Sequence, residues 1–441
     1  MSNPESGLSR RKFLTATTLS AGGLLVSPYL TGCAPANSGT ARTSGPKNLS
    51  IMAWSHSVPA TDVAFDEFAQ EWGAANNVNV RVDHTAINDI PARLGSEIRA
   101  QSGHDIVQMP PGTGVSNFAD QLADITSEVE ELGKAYGGWS PLAEQGAKYN
   151  GAWLAYPDYG IAVPGFYRKD LFDQFTLEAP TTWDAVLEAG RALKPEGHPL
   201  GLTLSHTGDA NQYWMALLWG YGGAWANAEG RFAGLDSPGL REGLQMAKAI
   251  YNEGCTPDVL SWDDSGNNTA YISGVSSYTI NGLSILGASR EANPDVAAQT
   301  LLEVPPSGPA GGAMLTNLFG LGIWKFSKVR DLATAFLSDY HDRWQDFAEV
   351  SEGFNLKLFN EIPRPYPVLD EDPLTEALVD SIPLLASVGH PGPATPAASE
   401  VATNFVIIDL VIEVVQGGSV DSAIETAEAK IRSIYTAADL L

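Results

Sequence analysis

Only two cysteines occur in 441 residues, Cys33 and Cys255, so no disulfide framework stiffens the chain. Basic residues are scarce too: 26 Lys and Arg stand against 52 Asp and Glu, a formal charge of −26. That balance excludes nucleic acid and an anionic membrane face as broad partners, because both demand a basic surface. Histidines stand apart at positions 56, 84, 104, 198, 206, 341 and 390, without HExxH or comparable ligand spacing, so no metal site is expected. There is no G-x-S-x-G elbow. Gly112-Thr113-Gly114 lacks the spacing of a phosphate loop and reads only as a ligand-facing turn. With no convergent acid, base or nucleophile, neither catalytic residues nor a cofactor is expected.

One apolar stretch stands ahead of a chain that otherwise reads as water-soluble. "SRRKFLTATTLSAGGLLVSPYLTGC", Ser9 to Cys33, is broken at Ser27 and Pro28 and falls short of the roughly 20 residues a spanning helix needs. Its order, basic then apolar then small, is that of an export signal. Arg10-Arg11 within Ser-Arg-Arg-Lys-Phe-Leu matches the twin-arginine type, an address read by a receptor. Leu30-Thr31-Gly32-Cys33 resembles a bacterial lipobox, which makes Cys33 the acylated first residue of the mature chain; a plain secretory signal with a stray Cys is the alternative. Acyl chains contribute about 0.8 kcal/mol per buried CH₂, so two or three hold a protein to a bilayer. Loss of residues 1–32 removes Arg10, Arg11, Lys12 and Glu5, a net +2, and takes the formal charge from −26 to −28. Ala34 to Lys47 is small and polar, a flexible tether of ~20 Å span.

What the chain has in quantity is material for a core. Hydrophobic residues make up 44% and aromatics 9%, and the length exceeds what a single core supports, so two lobes are expected. "NLSIMAW" reads as a first strand, followed by a helix burying Val63, Phe65, Phe68 and Trp72. "VNVRVDH" alternates as a strand does, Pro91 to Ala100 reads as a helix and "HDIVQMP" as a third strand. This βαβαβ order predicts an α/β fold with a mostly parallel sheet and helices on both faces. Ligands collect at the carboxyl ends of such strands, here Trp54-Ser55-His56-Ser57 and Gly112-Thr113-Gly114. The rhythm then repeats. Thr181-Thr182-Trp183-Asp184 reads as a capping box opening a helix that contains Val186, Leu187 and Leu193, and "LGLTLS" reads as a strand. "QYWMALLWGYGG" reads as a buried helix closed by Gly222-Gly223, and "VSSYTING" as a strand ending in the Asn281-Gly282 turn. "EVATNFVIIDLVIEVVQGG" reads as one apolar helix with a wet stripe at Asp409 and Glu413. Ser419 caps a final helix carrying Ala423, Ile424, Ala427, Ile431 and Ile434. Cys255 ends another helix as a small packing residue.

"YNGAWLAYPDYGIAVPGFYRKDLFDQF" followed by "APTTWDAVLEAGRAL" resembles the family 1 extracellular solute-binding proteins of ATP-driven importers, the group of the maltose-binding protein. The motifs stand in the family's order at Tyr149-Asn150-Gly151, Tyr156-Pro157, Tyr167 with Lys169-Asp170-Leu171-Phe172, and Pro180 with Thr182-Trp183-Asp184. "LWGYGGAW", "YISGVSSYTINGLS", "GGAMLTNLFGLGIWKFSKVRDLATAFLSDY" and "SVDSAIETAEAKI" extend the resemblance over about residues 48–441. It implies a two-lobed type II periplasmic-binding fold, each lobe a mostly parallel sheet flanked by helices and joined by hinge strands. Crossings are expected near Asp158–Val163, near Thr316–Leu321 and at Ile362-Pro363-Arg364-Pro365. Residues 1–32 then form the signal, 33–47 the lipidated Cys33 and tether, 48–158 with 319–362 the first lobe, and 162–316 with 366–441 the second. The implied role is capture of one small solute, a carbohydrate foremost, and its delivery to a membrane permease by a lipid-anchored, extracytoplasmic monomer.

The ligand-binding candidates are Trp54, His56, Ser57 and Thr113 at strand ends, Tyr159 on the first crossing, and Trp225 after the Gly-Gly turn. Asn211, Asn281, Gly282 and Asn317 complete the set, since amides both donate to and accept from sugar hydroxyls. Each has a structural alternative: core packing for the aromatics, turn formation for Asn281 and helix entry for Asn211. Trp262 in a polar loop is a further aromatic, whereas Trp72, Trp183, Trp214 and Trp344 fall on helical spacings and read as core. In the maltose-binding subgroup a Trp follows the Asn-Gly turn by two positions; here Ser284 stands there, so maltose itself is not carried over. "FNLKLFNEIPRPYP" after Gly353 lacks a family pattern. A polyamine or sugar phosphate is the alternative solute, and a secreted glycoside hydrolase or a scaffold lipoprotein the alternative class.

Overall fold

The computed structural model describes residues 47–110, 114–362, 374 and 376–441. The signal, Cys33, Thr113 and the Pro363–Pro365 part of the third crossing lie outside the described residues. The first strand, Lys47–Trp54, pairs in parallel with Val78–Thr85 on one side and Ile106–Gln108 on the other. Beyond these lie Leu318–Ile323 and then Ala155–Gly160, giving five strands. Helix Pro59–Asn76 connects the first two, with Phe65, Phe68 and Trp72 buried. Val63 differs from expectation and is 57% exposed, because it lies about 200° around the helix from Thr61 and Phe65. The buried face meets helix Arg330–Asp342 through edge contacts such as Trp72 on Phe336, 5.2 Å between ring centres.

The second sheet orders Tyr278–Ile280, Gly165–Arg168 and Thr300–Glu303. "LGLTLS" runs beside it, with Leu200 bridging Tyr278 in parallel, rather than forming a full strand. Helix Gly208–Gly220 is buried almost all round and packs with Val406–Val415 and Val420–Ala437 in a separate core. Gly222, at φ +83°, adopts the left-handed conformation that ends the Gly208–Gly220 helix. Thr182 and Ser419 cap their helices, Oγ1 accepting from Ala185 N–H at 3.2 Å and Oγ from Ser422 N–H at 3.4 Å.

Two further expectations need correction. The sheets are mixed rather than mostly parallel. In each, the strand carrying the chain in from the other lobe (Gly165–Arg168 or Leu318–Ile323) runs antiparallel to both neighbours. The long apolar helix is two helices, Pro396–Thr403 and Val406–Val415. Phe405 breaks it at φ +51°, its ring stacked on His206 with centres 4.8 Å apart.

Candidate functional site

The end of the first strand delivers an aromatic cluster. Trp54 Nε1 donates to the Tyr159 hydroxyl at 2.7 Å, so these residues, 105 apart, share one bond. His56 Nδ1 accepts from Val58 N–H at 2.8 Å; a backbone N–H can only donate, so the ring proton sits on Nε2 and goes to Asn355 Oδ1 at 2.8 Å. Burial lowers the His56 pKa against the opposing pull of Asn355 and Asp62, which keeps the ring neutral. Both of its nitrogens are occupied, so His56 presents carbon to its surroundings. Phe319 stacks on Tyr159 and tilts against Trp54, and Phe354 meets His56 edge-on.

A polar cluster gathers at the start of helix Gly208–Gly220. Thr207 caps helix Gly208–Gly220, Oγ1 accepting from Ala210 N–H at 3.1 Å, and this puts Asp209 in the first turn, where the helix dipole favours a carboxylate. Asp209 Oδ2 accepts from Asn267 Nδ2 at 2.9 Å and from Asn281 Nδ2 at 3.1 Å. Asn281 Nδ2 also reaches Asn268 Oδ1 at 2.6 Å, and its Oδ1 holds the Gly282 N–H at 2.7 Å. The Asp209 pKa is pushed up to about 6, by burial first and the Asp264 charge further, against the hydrogen bonds from Asn267 and Asn281. Among the described residues no hydrogen bond engages Asp209 Oδ1, an acceptor, or Asn268 Nδ2, a donor.

The two clusters meet at Phe354. A Cβ at Gly282 would lie 3.8 Å from Phe354 Cε2 and 3.4 Å from Ile161 Cγ2. Leu283, Ile285 and Leu286, just after the turn, share one contiguous buried cluster with Phe319 and Phe354. The lobes also touch where Ser116 Oγ donates to Ala394 O at 3.4 Å.

A family model for bacterial extracellular solute-binding proteins matches residues 64–341, more than half of the chain. The chain belongs to this family. An extracytoplasmic place and a two-lobed solute-binding architecture follow from that membership, and solved structures share the fold. The sugar-binding protein MalE from Xanthomonas citri is 17% identical with a TM-score of 0.74, matching 89% of this chain and 98% of its own. The cyclic α-maltosyl-1,6-maltose binding protein from Arthrobacter globiformis is 19% identical with a TM-score of 0.72, over 89% and 99%. A sugar transporter from Arthrobacter chlorophenolicus A6 with bound laminaribiose is 19% identical with a TM-score of 0.70, over 88% and 99%. Among the described residues, no His, Cys, Asp or Glu group could hold a metal, and no helix is long and apolar enough to cross a membrane.

Within this solute-binding chain the expected site residues divide. Trp54, His56 and Tyr159 gather on one wall; Asn281 and Gly282 lie on the other. Ser57 is exposed on the loop after His56, and Asn317 is half-buried just before strand Leu318–Ile323. Asn211 donates its amide to Ala402 O at 3.1 Å and so braces two helices. Trp225 corrects an expectation: it is 1% exposed and donates Nε1 to the Tyr435 hydroxyl at 3.1 Å, so it belongs to the core. The turn before it folds back, Gly223 N–H to Leu218 O at 2.8 Å, and directs the indole inward. Asp209, Asn267, Asn268, Phe354 and Asn355 escaped sequence reasoning. The Asp209 signal was present as an acid just inside a capped helix; the others carry no local signal.

A third group underlies the aromatic wall. Asp158, on the first crossing strand, receives Lys357 Nζ at 3.5 Å and the Tyr340 hydroxyl at 3.2 Å. Burial pushes Asp158 up and Lys357 down to about 8, each drawn back by its partner's charge. His341 donates Nδ1 to Leu337 O at 2.7 Å and keeps Nε2 bare, its pKa held well below the ordinary value by burial and then by the Lys357 charge. Cys255 is buried and its thiol pushed up to about 12, an inert packing group.

Proposed function

We propose that the chain captures a neutral carbohydrate between its lobes, catalyses nothing, and hands the solute to a membrane permease driven by separate ATP-hydrolysing subunits. One observation carries this reading: a cluster of aromatic rings at the end of the first strand adjoins, at Phe354 and Gly282, a cluster of amides and a carboxylate. A sugar ring has that asymmetry, with C–H faces and a hydroxyl edge. Structural neighbours of the same fold hold α-D-tagatose, laminaribiose, maltose and ribitol. Neither wall carries a free Arg or Lys among the described residues, since Lys357 is taken up by Asp158, and this disfavours a sugar phosphate. The Asp209 and Asp264 carboxylates favour a second reading, a polyamine. The lobe limits given from the sequence, the twin-arginine signal, the lipid on Cys33 and the monomeric state belong to the same proposal.

A thermal-shift series with the four neighbour ligands, spermidine and glycerol phosphate tests it. A ligand at 100 times its dissociation constant stabilises by about 2.7 kcal/mol. Stabilisation by a neutral sugar, with compaction in small-angle scattering, is expected. Stabilisation by spermidine or glycerol phosphate alone overturns the carbohydrate assignment, and an unchanged scattering profile at saturation overturns closure.

A further inference from the structure

Away from the solute site, His104 ties several elements of the first lobe together. Its ring is buried, and both nitrogens meet carboxylates. Nδ1 stands 2.5 Å from Glu97 Oε1 on helix Ile90–Ala100, and Nε2 stands 3.0 Å from Asp83 Oδ2 on strand Val78–Thr85. Ionised carboxylates only accept, so both ring nitrogens donate and the ring is an imidazolium. The second oxygen of Glu97 accepts from the His104 N–H at 3.2 Å and from Trp324 Nε1 at 3.0 Å. Trp324 directly follows strand Leu318–Ile323, which brings the chain back from the second lobe. The turn leaves room for this contact, since a Cβ at Gly103 would overlap the Glu97 carboxyl. Glu97 is the stronger partner, its side chain 12% exposed against 36% for Asp83. The other charges nearby count for less. Arg81 reaches Asp83 at 3.3 Å from an exposed position, Arg93 acts on Asp83 through its charge alone, and Asp105 is taken up by Ser50 and Ser327.

We propose that Asp83, His104 and Glu97 form a charged staple that suits the first lobe to mildly acidic surroundings and releases as the medium turns alkaline. The inference stands apart from the solute reading and does not depend on it. Burial opposes the charge on His104, but the hydrogen bonds to Glu97 and Asp83 outweigh it and raise the pKa above 6.5. The folded chain then keeps a proton that the unfolded chain releases. This stabilisation is whole below 6.5 and is lost as pH climbs through the raised value. The carboxylates run the other way. The bond to His104 lowers Asp83 from 3.8; for Glu97 burial pulls upward, and the bonds from His104 and Trp324 overcome it, lowering it from 4.5. Their share is whole above 4.5 and is lost as pH falls further. The staple is therefore at full strength between 4.5 and 6.5. An extracytoplasmic chain meets that range, or leaves it, with the medium.

Two measurements on the whole chain test the staple. Imidazole titration by nuclear magnetic resonance follows the proton itself, the His104 signal being the one absent from His104→Gln. Its midpoint is expected above 6.5, and Glu97→Gln should bring it down. Melting temperature from pH 5 to 9 reads the stability: His104→Gln should melt below the wild type at pH 6, and the gap should close toward pH 9. A gap that stays constant across the series means that His104 only fills space. If His104→Gln does not fold, the signal that moves on Glu97→Gln identifies His104 and the titration decides. A midpoint at or below 6.5 overturns the staple whatever the variants do.

Discussion

At the scale of single residues, Asp209 shows how a site is set against the stability of its own fold. Its carboxyl is raised to about 6, so between its ordinary range near 4 and that value the folded chain holds a proton that the unfolded chain has lost. Asp209 therefore subtracts from stability as pH rises through that window, and the loss is complete above it. Asp209→Asn should raise the melting temperature at pH 7 and change it little at pH 4. The same variant should weaken solute binding by at least about tenfold, the usual weight of a charge-assisted hydrogen bond. Wild-type affinity should fall below pH 6 as the carboxylate protonates, and the variant's should not. Calorimetric titration from pH 5 to 8 checks both. Part of this scale was legible in advance: the Ser419 cap and the helix opening at Thr181–Asp184 are local signals. Asp209 was not, because its partners Asn267 and Asn281 stand 58 and 72 residues away.

At the scale of elements, the segment Phe354–Phe359 is a strap. All six residues are buried, and Leu356 exchanges two backbone hydrogen bonds with Gly160, where the first crossing strand leaves its sheet. "FNLKL" alternates apolar and polar residues as a strand does, yet it carries no pattern of the family, and its polar residues Asn355 and Lys357 are buried against His56 and Asp158. The apolar run around Phe405 misleads for a different reason: its periodicity is unbroken, and only a left-handed residue at a tertiary contact divides the helix. The strap's charge, Lys357, is 4% exposed and answers Asp158. Lys357→Met strands a buried carboxylate and should destabilise by about 3–5 kcal/mol, whereas combining it with Asp158→Asn should recover most of the loss. Urea unfolding of the single and double variants measures the difference. Equal losses in both would show that the pair contributes packing only.

At the scale of the whole molecule, the two lobes touch at Phe354 and Gly282 and again at Ser116 and Ala394. Family membership, the βαβ order and the crossings near Asp158 and Thr316 were readable because they depend on the sequence of elements. The meeting of the two clusters at Gly282 and Phe354 was not, because it depends on segments distant in sequence. No helix among the described residues is long and apolar enough to cross a membrane, so the proposed anchor rests on Cys33 alone. Cys33→Ala should release the protein into the soluble fraction, and Arg10→Lys with Arg11→Lys should block its export. Membrane retention of the Cys33→Ala variant would refute the anchor.

The place of Leu318–Ile323 has a consequence in time. This strand fills the gap between Ile106–Gln108 and Ala155–Gly160, so the first sheet stays in two pieces while the chain from Ile161 to Asn317 is being made. At roughly 5–20 residues per second, the ribosome needs on the order of 10–30 s to supply the missing strand. Until then the flanking strands expose unpaired edges, and a nascent chain threaded outward during synthesis would have to complete its first lobe on the far side. A route that accepts only finished proteins relieves that difficulty, because the sheet closes before the journey begins.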